Sequence, residues 1–291
     1  MFFNLLQQIA SGVAMGGIYA CLGLALVMIY QSTNHINFAQ GEMAMFSTFI
    51  AFVLLKAGLP YWAAFIATVA FGFVSGMLVE RVVLRPLKNA PELSVIVVFI
   101  GLLVGVNSLA GWIFGHQLET FPSPFPDKAP FGTTLVSAHE LGTIAVALVV
   151  VTVLYVFLRF TRIGLAMRAS AENPVSSRLS GIPVSRMLSL GWGLSAAIGS
   201  IAGLMVAPVV FLDPNMMGGV LIYAFAAALL GGIDNPWGAV VGGIIVGVVE
   251  NLAGTYVVGS ELKLTVALVV IVGVLLIRPS GLFGRKLVAR V

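Results

Sequence analysis

Side chains that could bind or transfer charge are scarce, since only 9% of the 291 residues are charged. The densest polar run is TNHINFAQGE at 33–42, where the amides of Asn37 and Gln40 precede the carboxylate of Glu42. These groups can hydrogen-bond a polar solute, and Gly41 allows a break in helix geometry. Two interpretations stay open: irregular backbone that lines a polar cavity, or an ordinary turn between two helices.

A second polar site is Glu250 with Asn251, which follow an apolar stretch. A carboxylate at mid-membrane costs roughly 2.5–3.5 kcal/mol on insertion scales, so a partner or a pathway is expected. Glu250 either accepts a hydrogen bond from a passing ammonium group or lies near the outer interface. Asn107 is a weaker candidate, since polar contact between helices is the better explanation for it. The candidate pathway residues are Asn37, Gln40, Glu42, Asn107, Glu250 and Asn251.

Several kinds of chemistry are excluded or disfavoured. No Gly-x-x-x-x-Gly-Lys-Ser/Thr phosphate loop occurs, so nucleotide hydrolysis is expected in a partner and not in this chain. The three histidines do not stand at metal-ligand spacing from cysteine or carboxylates. A serine intramembrane protease would need a base near Ser75 or Ser200, and none is expected in the adjoining segments.

The most basic segment is 159–186, which holds five arginines and a self-contained helix signal. Asn173 suits the N-cap, Pro174 the first helical position and Gly181 the left-handed residue after the end. Val175, Leu179 and Ile182 fall at i, i+4 and i+7, which predicts a narrow apolar stripe. Because helices shorter than roughly 12 residues are marginal alone, we expect this one to dock against something.

The elements that position these residues are hydrophobic segments of membrane-spanning type. The chain is 59% hydrophobic with a mean hydropathy of +1.08, which predicts an all-α polytopic membrane protein. The second, seventh and ninth segments are short, so nine spans and eight spans with re-entrant or broken helices are both open. The segments lie at about 5–30, 42–56, 60–80, 93–115, 139–158, 187–207, 220–232, 236–255 and 262–277.

Charge distribution predicts the orientation. Twelve of the fifteen Lys and Arg residues fall in 81–92, in 159–186 and after 277. The positive-inside rule makes these parts cytoplasmic, with the N-terminus outside and the C-terminus inside. Residues 116–138 then form an external loop, where the prolines of FPSPFP forbid a helix. No soluble domain is evident, so 1–291 is predicted to be a single membrane domain.

Glycine pairs spaced four residues apart recur in the apolar segments and predict close helix contacts. The pairs are Gly12 and Gly16, Gly72 and Gly76, Gly101 and Gly105, Gly199 and Gly203, Gly238 and Gly242, and Gly243 and Gly247.

Short blocks of sequence along nearly the whole chain carry a resemblance to one family. The sequence resembles the permease subunits of branched-chain amino acid ABC transporters, of the shorter, LivH type. It departs from that pattern at Gln40, where many relatives have histidine, and at Asp234, where glycine is common. The blocks are GIYA at 17–20, INFAQGE at 36–42, ER at 80–81 with RP at 85–86, RIGLAMRA at 162–169 with SGI at 180–182, LGGI at 230–233 with PWGA at 236–239, and RPSGLFG at 278–284.

The resemblance implies an ABC importer permease in a bacterial inner membrane. Its expected partners are a second and different permease, two cytoplasmic ATPases that bind ATP and Mg, a soluble external binding protein, and lipid. No cofactor in this chain, no catalysis and no nucleic acid are expected. The short helix of 159–186 would then couple to an ATPase. The implied coupling residues are Arg168, Glu172, Asn173, Pro174, Val175, Arg178, Leu179, Gly181 and Ile182.

Two alternatives remain at this stage. The same scaffold could import urea, amides or other amino acids. An ion-coupled secondary transporter is the rival from another class, although such proteins usually pair ionisable residues at mid-membrane and Glu250 stands nearly alone.

Overall fold

A computed structural model describes residues 2–33, 35–87, 90–126 and 136–284. Within those ranges the chain forms eleven α-helices and no extended strand. The helices are α1 (Phe2–Thr33), α2 (Gln40–Lys56), α3 (Tyr61–Val79), α4 (Glu92–Phe114), α5 (Ala138–Phe160), α6 (Arg162–Glu172), α7 (Pro174–Leu179), α8 (Val184–Val210), α9 (Met217–Gly231), α10 (Pro236–Ala253) and α11 (Lys263–Ile277).

Nine of these helices correspond to the nine hydrophobic segments, which confirms the predicted all-α polytopic fold. Six helices in the described ranges are long and apolar enough to cross a membrane. The three segments predicted to be short are α2, with 17 residues, and α9 and α11, with 15 each. A bilayer core needs about 20 helical residues, and more where the helix is tilted, so these three have at most the length of the shortest full spans.

The chain divides into two compact units, and each is described by itself. Unit 1 comprises Met1–Val27, Phe125–Leu148 and Gly219–Val291. Unit 2 comprises Met28–Pro124 and Val149–Gly218. The coupling segment and the polar run of 33–42 belong to unit 2, and Glu250 belongs to unit 1.

Glycine contacts hold the helices of unit 2 together. A Cβ atom on Gly72 would lie 3.1 Å from the carbonyl oxygen of Ala196, and one on Gly203 would lie 2.9 Å from that of Ala44. The first contact joins α3 to α8, and the second joins α8 to α2. Side chains larger than hydrogen would push these helices apart, as the predicted glycine pairs require.

Unit 1 is built on the same principle. A Cβ atom on Gly12 would lie 2.8 Å from Val248 Cα, and one on Gly16 would lie 2.8 Å from the carbonyl oxygen of Gly243. The first half of α1 and α10 therefore run in backbone contact. Gly101 and Gly105 make no such contact in the part of the chain that the structure describes, since no atom of another helix would come within 4 Å of a Cβ on either residue.

The segment after α4 is non-helical over residues 115–126, as the prolines predict. Glu119 and Leu212 exchange two backbone hydrogen bonds, at 3.0 and 2.9 Å, in an isolated antiparallel bridge. Lys56 forms an ion pair with Glu119 at 3.3 Å. Residues 127–135 of the predicted external loop lie outside the described ranges.

Candidate functional site

The coupling segment consists of two consecutive helices, α6 and α7. Thr161 caps α6, with its Oγ1 accepting from the Gly164 amide at 2.9 Å. The amide of Asn173 donates to the Ala169 carbonyl at 3.0 Å, which closes α6. The side chain of the same residue accepts from the Ser176 amide at 3.0 Å, which opens α7. One residue thus ends one helix and starts the next.

The predicted capping of α7 is confirmed. Pro174 occupies the first turn, where its missing N–H is not needed, and Gly181 has a φ of 82° after the end. The Ile182 amide donates to the Ser177 carbonyl at 2.9 Å, which closes the turn. Helix α6 was not predicted as an element of its own. Its amphipathic sequence, RIGLAMRASAE, lies within the basic segment 159–186.

Apolar side chains of α7 are exposed. Leu179 is 86% exposed and Val175 is 65% exposed, while Ile182 is half-buried. Around them Arg168, Glu172 and the side chain of Arg178 are also exposed.

The polar run before α2 is packed inside unit 2. Asn37 and Gln40 are both fully buried, and Asn37 Nδ2 donates to Gln40 Oε1 at 3.2 Å. Gln40 Nε2 donates to the carbonyl oxygen of Ser195 in α8 at 3.1 Å. The Asn37 side chain accepts from the Ala39 amide at 3.0 Å and so orders the chain just before α2. The side-chain amides of Asn37 and Gln40 therefore form hydrogen bonds within the protein.

Glu42 and Asn107 are brought together, although 65 residues separate them in sequence. Asn107 Nδ2 donates to Glu42 Oε2 at 3.1 Å and to the Pro214 carbonyl at 2.8 Å. One amide therefore joins α2, α4 and the segment after α8. Glu42 is buried, so this contact replaces water at its carboxylate.

Glu250 lies in a separate polar cluster within unit 1. The Tyr19 hydroxyl donates to Glu250 Oε2 at 2.8 Å, and both side chains are buried. The Tyr19 and Tyr223 rings stack at 4.9 Å between centroids. Asn251 donates to the Gln8 side chain at 2.8 Å and accepts from Lys263 at 3.3 Å. The hydrogen-bond partners expected for the Glu250 carboxylate thus include Tyr19 of α1.

One ion pair was not predicted, between the buried carboxylate of Glu80 and the exposed Arg85. Glu80, in a π-helical turn after α3, is buried and accepts from Arg85 Nη2 at 3.2 Å. The same Arg85 nitrogen donates to Ser189 Oγ at 3.0 Å, and Ser189 also bonds Glu80. The motif Glu80 to Arg85 was visible, but its partner 109 residues away was not.

Within the described ranges no three His, Cys, Asp or Glu side chains cluster so that they could hold a metal ion. The polar contacts described above tie helices to one another within each unit. Six long apolar helices with few buried polar pairs are the structure of a polytopic membrane protein.

Comparison with known proteins places the chain within that class. The family model described as "Branched-chain amino acid transport system / permease component" matches residues 8–275. The chain belongs to this family. It is 30% identical over 305 residues to the high-affinity branched-chain amino acid transport system permease protein LivH of Salmonella typhimurium, covering 100% of this chain and 99% of LivH.

Two other relatives are named for different solutes. The permease protein BraD of Pseudomonas aeruginosa, from a high-affinity branched-chain amino acid transport system, is 30% identical over 304 residues, or 99% of both chains. The autoinducer 2 import system permease protein LsrC of Escherichia coli is 26% identical over 232 residues, or 78% of this chain and 64% of LsrC. Full-length similarity is therefore found with the amino acid permeases.

Proposed function

We propose that this chain is a membrane permease subunit of an ATP-driven importer of branched-chain amino acids. The observation that carries the proposal is the similarity to LivH and BraD along the whole chain, at 30% identity in each case. The chain itself catalyses no reaction and holds no cofactor. Cytoplasmic partner ATPases bind ATP and Mg and supply the energy.

Docking of the ATPase is assigned to α7. Burying a leucine side chain contributes roughly 1.5–3 kcal/mol, so seating Leu179 and Val175 in a groove of the partner would stabilise the complex appreciably. Both side chains are largely exposed in this subunit, which supports a role for this surface in binding a partner. Arg168, Glu172 and Arg178 would make charged contacts at the edge of that groove.

The remaining partners follow from the same function. A second permease subunit, different from this one, completes the translocation path, and a soluble binding protein delivers the solute from outside. The importer lies in the bacterial inner membrane, with the N-terminus outside and the C-terminus in the cytoplasm. Enrichment of Lys and Arg in 81–92, in 159–186 and after 277 supports this orientation.

The solute path is proposed to include the two buried carboxylates and the amides next to them. Glu42 accepts from Asn107, and Glu250 accepts from Tyr19 and Tyr223, so the hydrogen-bond donors at both carboxylates are neutral. A neutral donor can be exchanged for the ammonium group of an amino acid without leaving an unpaired cation. Asn37, Gln40 and Asn251 would hold the helices that form this path.

Uptake by proteoliposomes tests the proposal. The complete complex with its binding protein should import radiolabelled L-leucine when ATP is inside the vesicles, and proton and sodium ionophores should leave the rate unchanged. Uptake that collapses with an ionophore would instead identify an ion-coupled transporter. Uptake of urea or acetamide in place of leucine would show that the complex is an ATP-driven importer of a different solute.

A further inference from the structure

A small cavity lies beside α6, apart from the buried polar pairs. Four helices of unit 2 form its walls: the last turns of α1, the end of α5, α6 and the start of α8. Its volume is about 60 Å³. Since one water molecule needs roughly 10–15 Å³ of such cavity space, this is room for more than two waters or for one small branched alkyl group.

The apolar part of the lining is adaptable. Met28, Met167 and Met187 contribute one thioether side chain each from α1, α6 and α8, and Leu158 and Leu188 complete the apolar wall. Methionine side chains are flexible and polarisable, and they fit apolar groups of varied shape. Such a wall suits a branched aliphatic group better than a water pair.

The polar part of the lining includes the buried hydroxyl group of Ser170. Ser170 is only 2% exposed, and in the part of the chain that the structure describes its Oγ has no hydrogen-bond partner. Arg168, two residues earlier on α6, also lines the cavity and is exposed, so it lies where the cavity opens. A buried hydroxyl and a guanidinium group together favour a carboxylate.

We propose that this cavity binds a small aliphatic carboxylate and that its occupation regulates transport. The alkyl group lies among the three methionines, and the carboxylate accepts from Ser170 and Arg168. The regulatory part rests on the proposed function, because an importer of branched-chain amino acids accumulates such a ligand on the side predicted to be cytoplasmic.

The cavity is placed to act on the coupling segment. Only Asn173 separates α6 from α7, and its amide and side chain bond to both helices. A ligand that contacts α6 together with α1 and α8 favours one position of α6, and therefore one position of α7. Binding energy that differs between two positions of α7 is what an allosteric effect requires.

Binding is tested first, on the purified full chain in nanodiscs without transport. L-leucine and isovalerate should each raise the unfolding temperature, whereas acetate, which lacks the alkyl branch, and isoamylamine, which lacks the carboxylate, should not. Ser170→Ala and Gly191→Ala should weaken binding at least threefold. A Cβ on Gly191 would lie 3.8 Å from Met167 Cε and 3.8 Å from Ser32 Oγ, so alanine enters the cavity without a clash.

Gly101→Ala is the matched control, because no described atom lies within 4 Å of a Cβ at that site. Equal binding by wild type and Gly191→Ala would overturn the site and leave a cavity that holds water only. An isovalerate signal without a leucine signal would assign the site to carboxylates that lack an amino group.

Regulation is tested next, in proteoliposomes of the whole complex. Leucine uptake is measured with and without isovalerate inside the vesicles. Isovalerate should lower the uptake at least threefold for wild type and should leave it nearly unchanged for Gly191→Ala. Binding without this fall would overturn the regulatory role. Absence of uptake from every vesicle would contradict the proposed function instead, and the nanodisc result would still decide the site.

Discussion

Gln40 and Ser195 bond to each other twice across 155 residues of sequence. Gln40 Nε2 donates to the Ser195 carbonyl at 3.1 Å, and Ser195 Oγ donates to Gln40 Oε1 at 3.3 Å. The amide lies so close to α8 that a Cβ on Gly199 would be 2.5 Å from Gln40 Nε2. The start of α2 is thereby fixed to α8 through one side chain.

Gln40→Leu should destabilise the subunit by about 1–3 kcal/mol, because the buried Asn37 amide and Ser195 hydroxyl lose their common partner. The unfolding temperature in mild detergent measures this change. Ser195→Ala is the matched comparison, since it removes the 3.3 Å bond and leaves the carbonyl acceptor. If Ser195→Ala proved as costly as Gln40→Leu, the assignment of the main contact to the Gln40 amide would fail.

Alanine substitutions at glycine should have two different effects on stability, depending on whether the glycine contacts another helix. Gly16→Ala forces a methyl group against the backbone of α10, and we expect a loss of about 1–3 kcal/mol from the strain. Gly105→Ala meets no described atom and should be neutral or slightly stabilising, because alanine favours helix by up to about 1 kcal/mol. Thermal unfolding of the isolated subunit distinguishes them, and equal effects would contradict the contact of α1 with α10.

The Glu80 and Arg85 pair should show a strong non-additive effect. Arg85→Met leaves a buried carboxylate without its cation and should cost about 1–3 kcal/mol, less than for a fully buried pair because the Arg85 side chain is 40% exposed. Glu80→Gln together with Arg85→Met should cost less than Arg85→Met alone, since no buried charge remains. A double-mutant cycle on the unfolding temperature measures the coupling, and strictly additive effects would show that the two side chains do not interact.

Local features of this chain could be predicted, and distant pairings could not. Asn173, Pro174 and Gly181 specify α7 because each acts within four residues of its own position. The short lengths of α2, α9 and α11 follow from where apolar residues stop. By contrast, the partners of Gln40 and Glu80 are set by which helices pack together, and no local pattern encodes Ser195 or Ser189 as a neighbour.

The glycine pairs show the same limit. Their spacing predicts a helix face that a neighbour can approach, but it does not name the neighbour. Gly12 and Gly16 contact α10, whereas Gly101 and Gly105 remain open in the described part of the chain. Identical spacing therefore has two outcomes, and only the packed structure separates them.

Glu250→Gln tests the proposed solute path. The amide keeps the size of the side chain and its bond from Tyr19, but it cannot attract an ammonium group, so leucine uptake should fall at least tenfold. Glu261→Gln is the control, because Glu261 is exposed and outside the cluster. Retained uptake in Glu250→Gln would remove this carboxylate from the path, and Glu42→Gln repeats the test for unit 2.

The central claim is that α7 joins this subunit to its ATPase, and one charge on the apolar stripe tests it most directly. Co-purification of the ATPase and ATP-driven leucine uptake are measured for Leu179→Asp and for Ser176→Asp. Ser176→Asp adds the same charge near the helix N-terminus, where it is tolerated. We predict that Leu179→Asp abolishes both readouts while Ser176→Asp retains them. Normal ATPase binding and uptake in Leu179→Asp would contradict the claim.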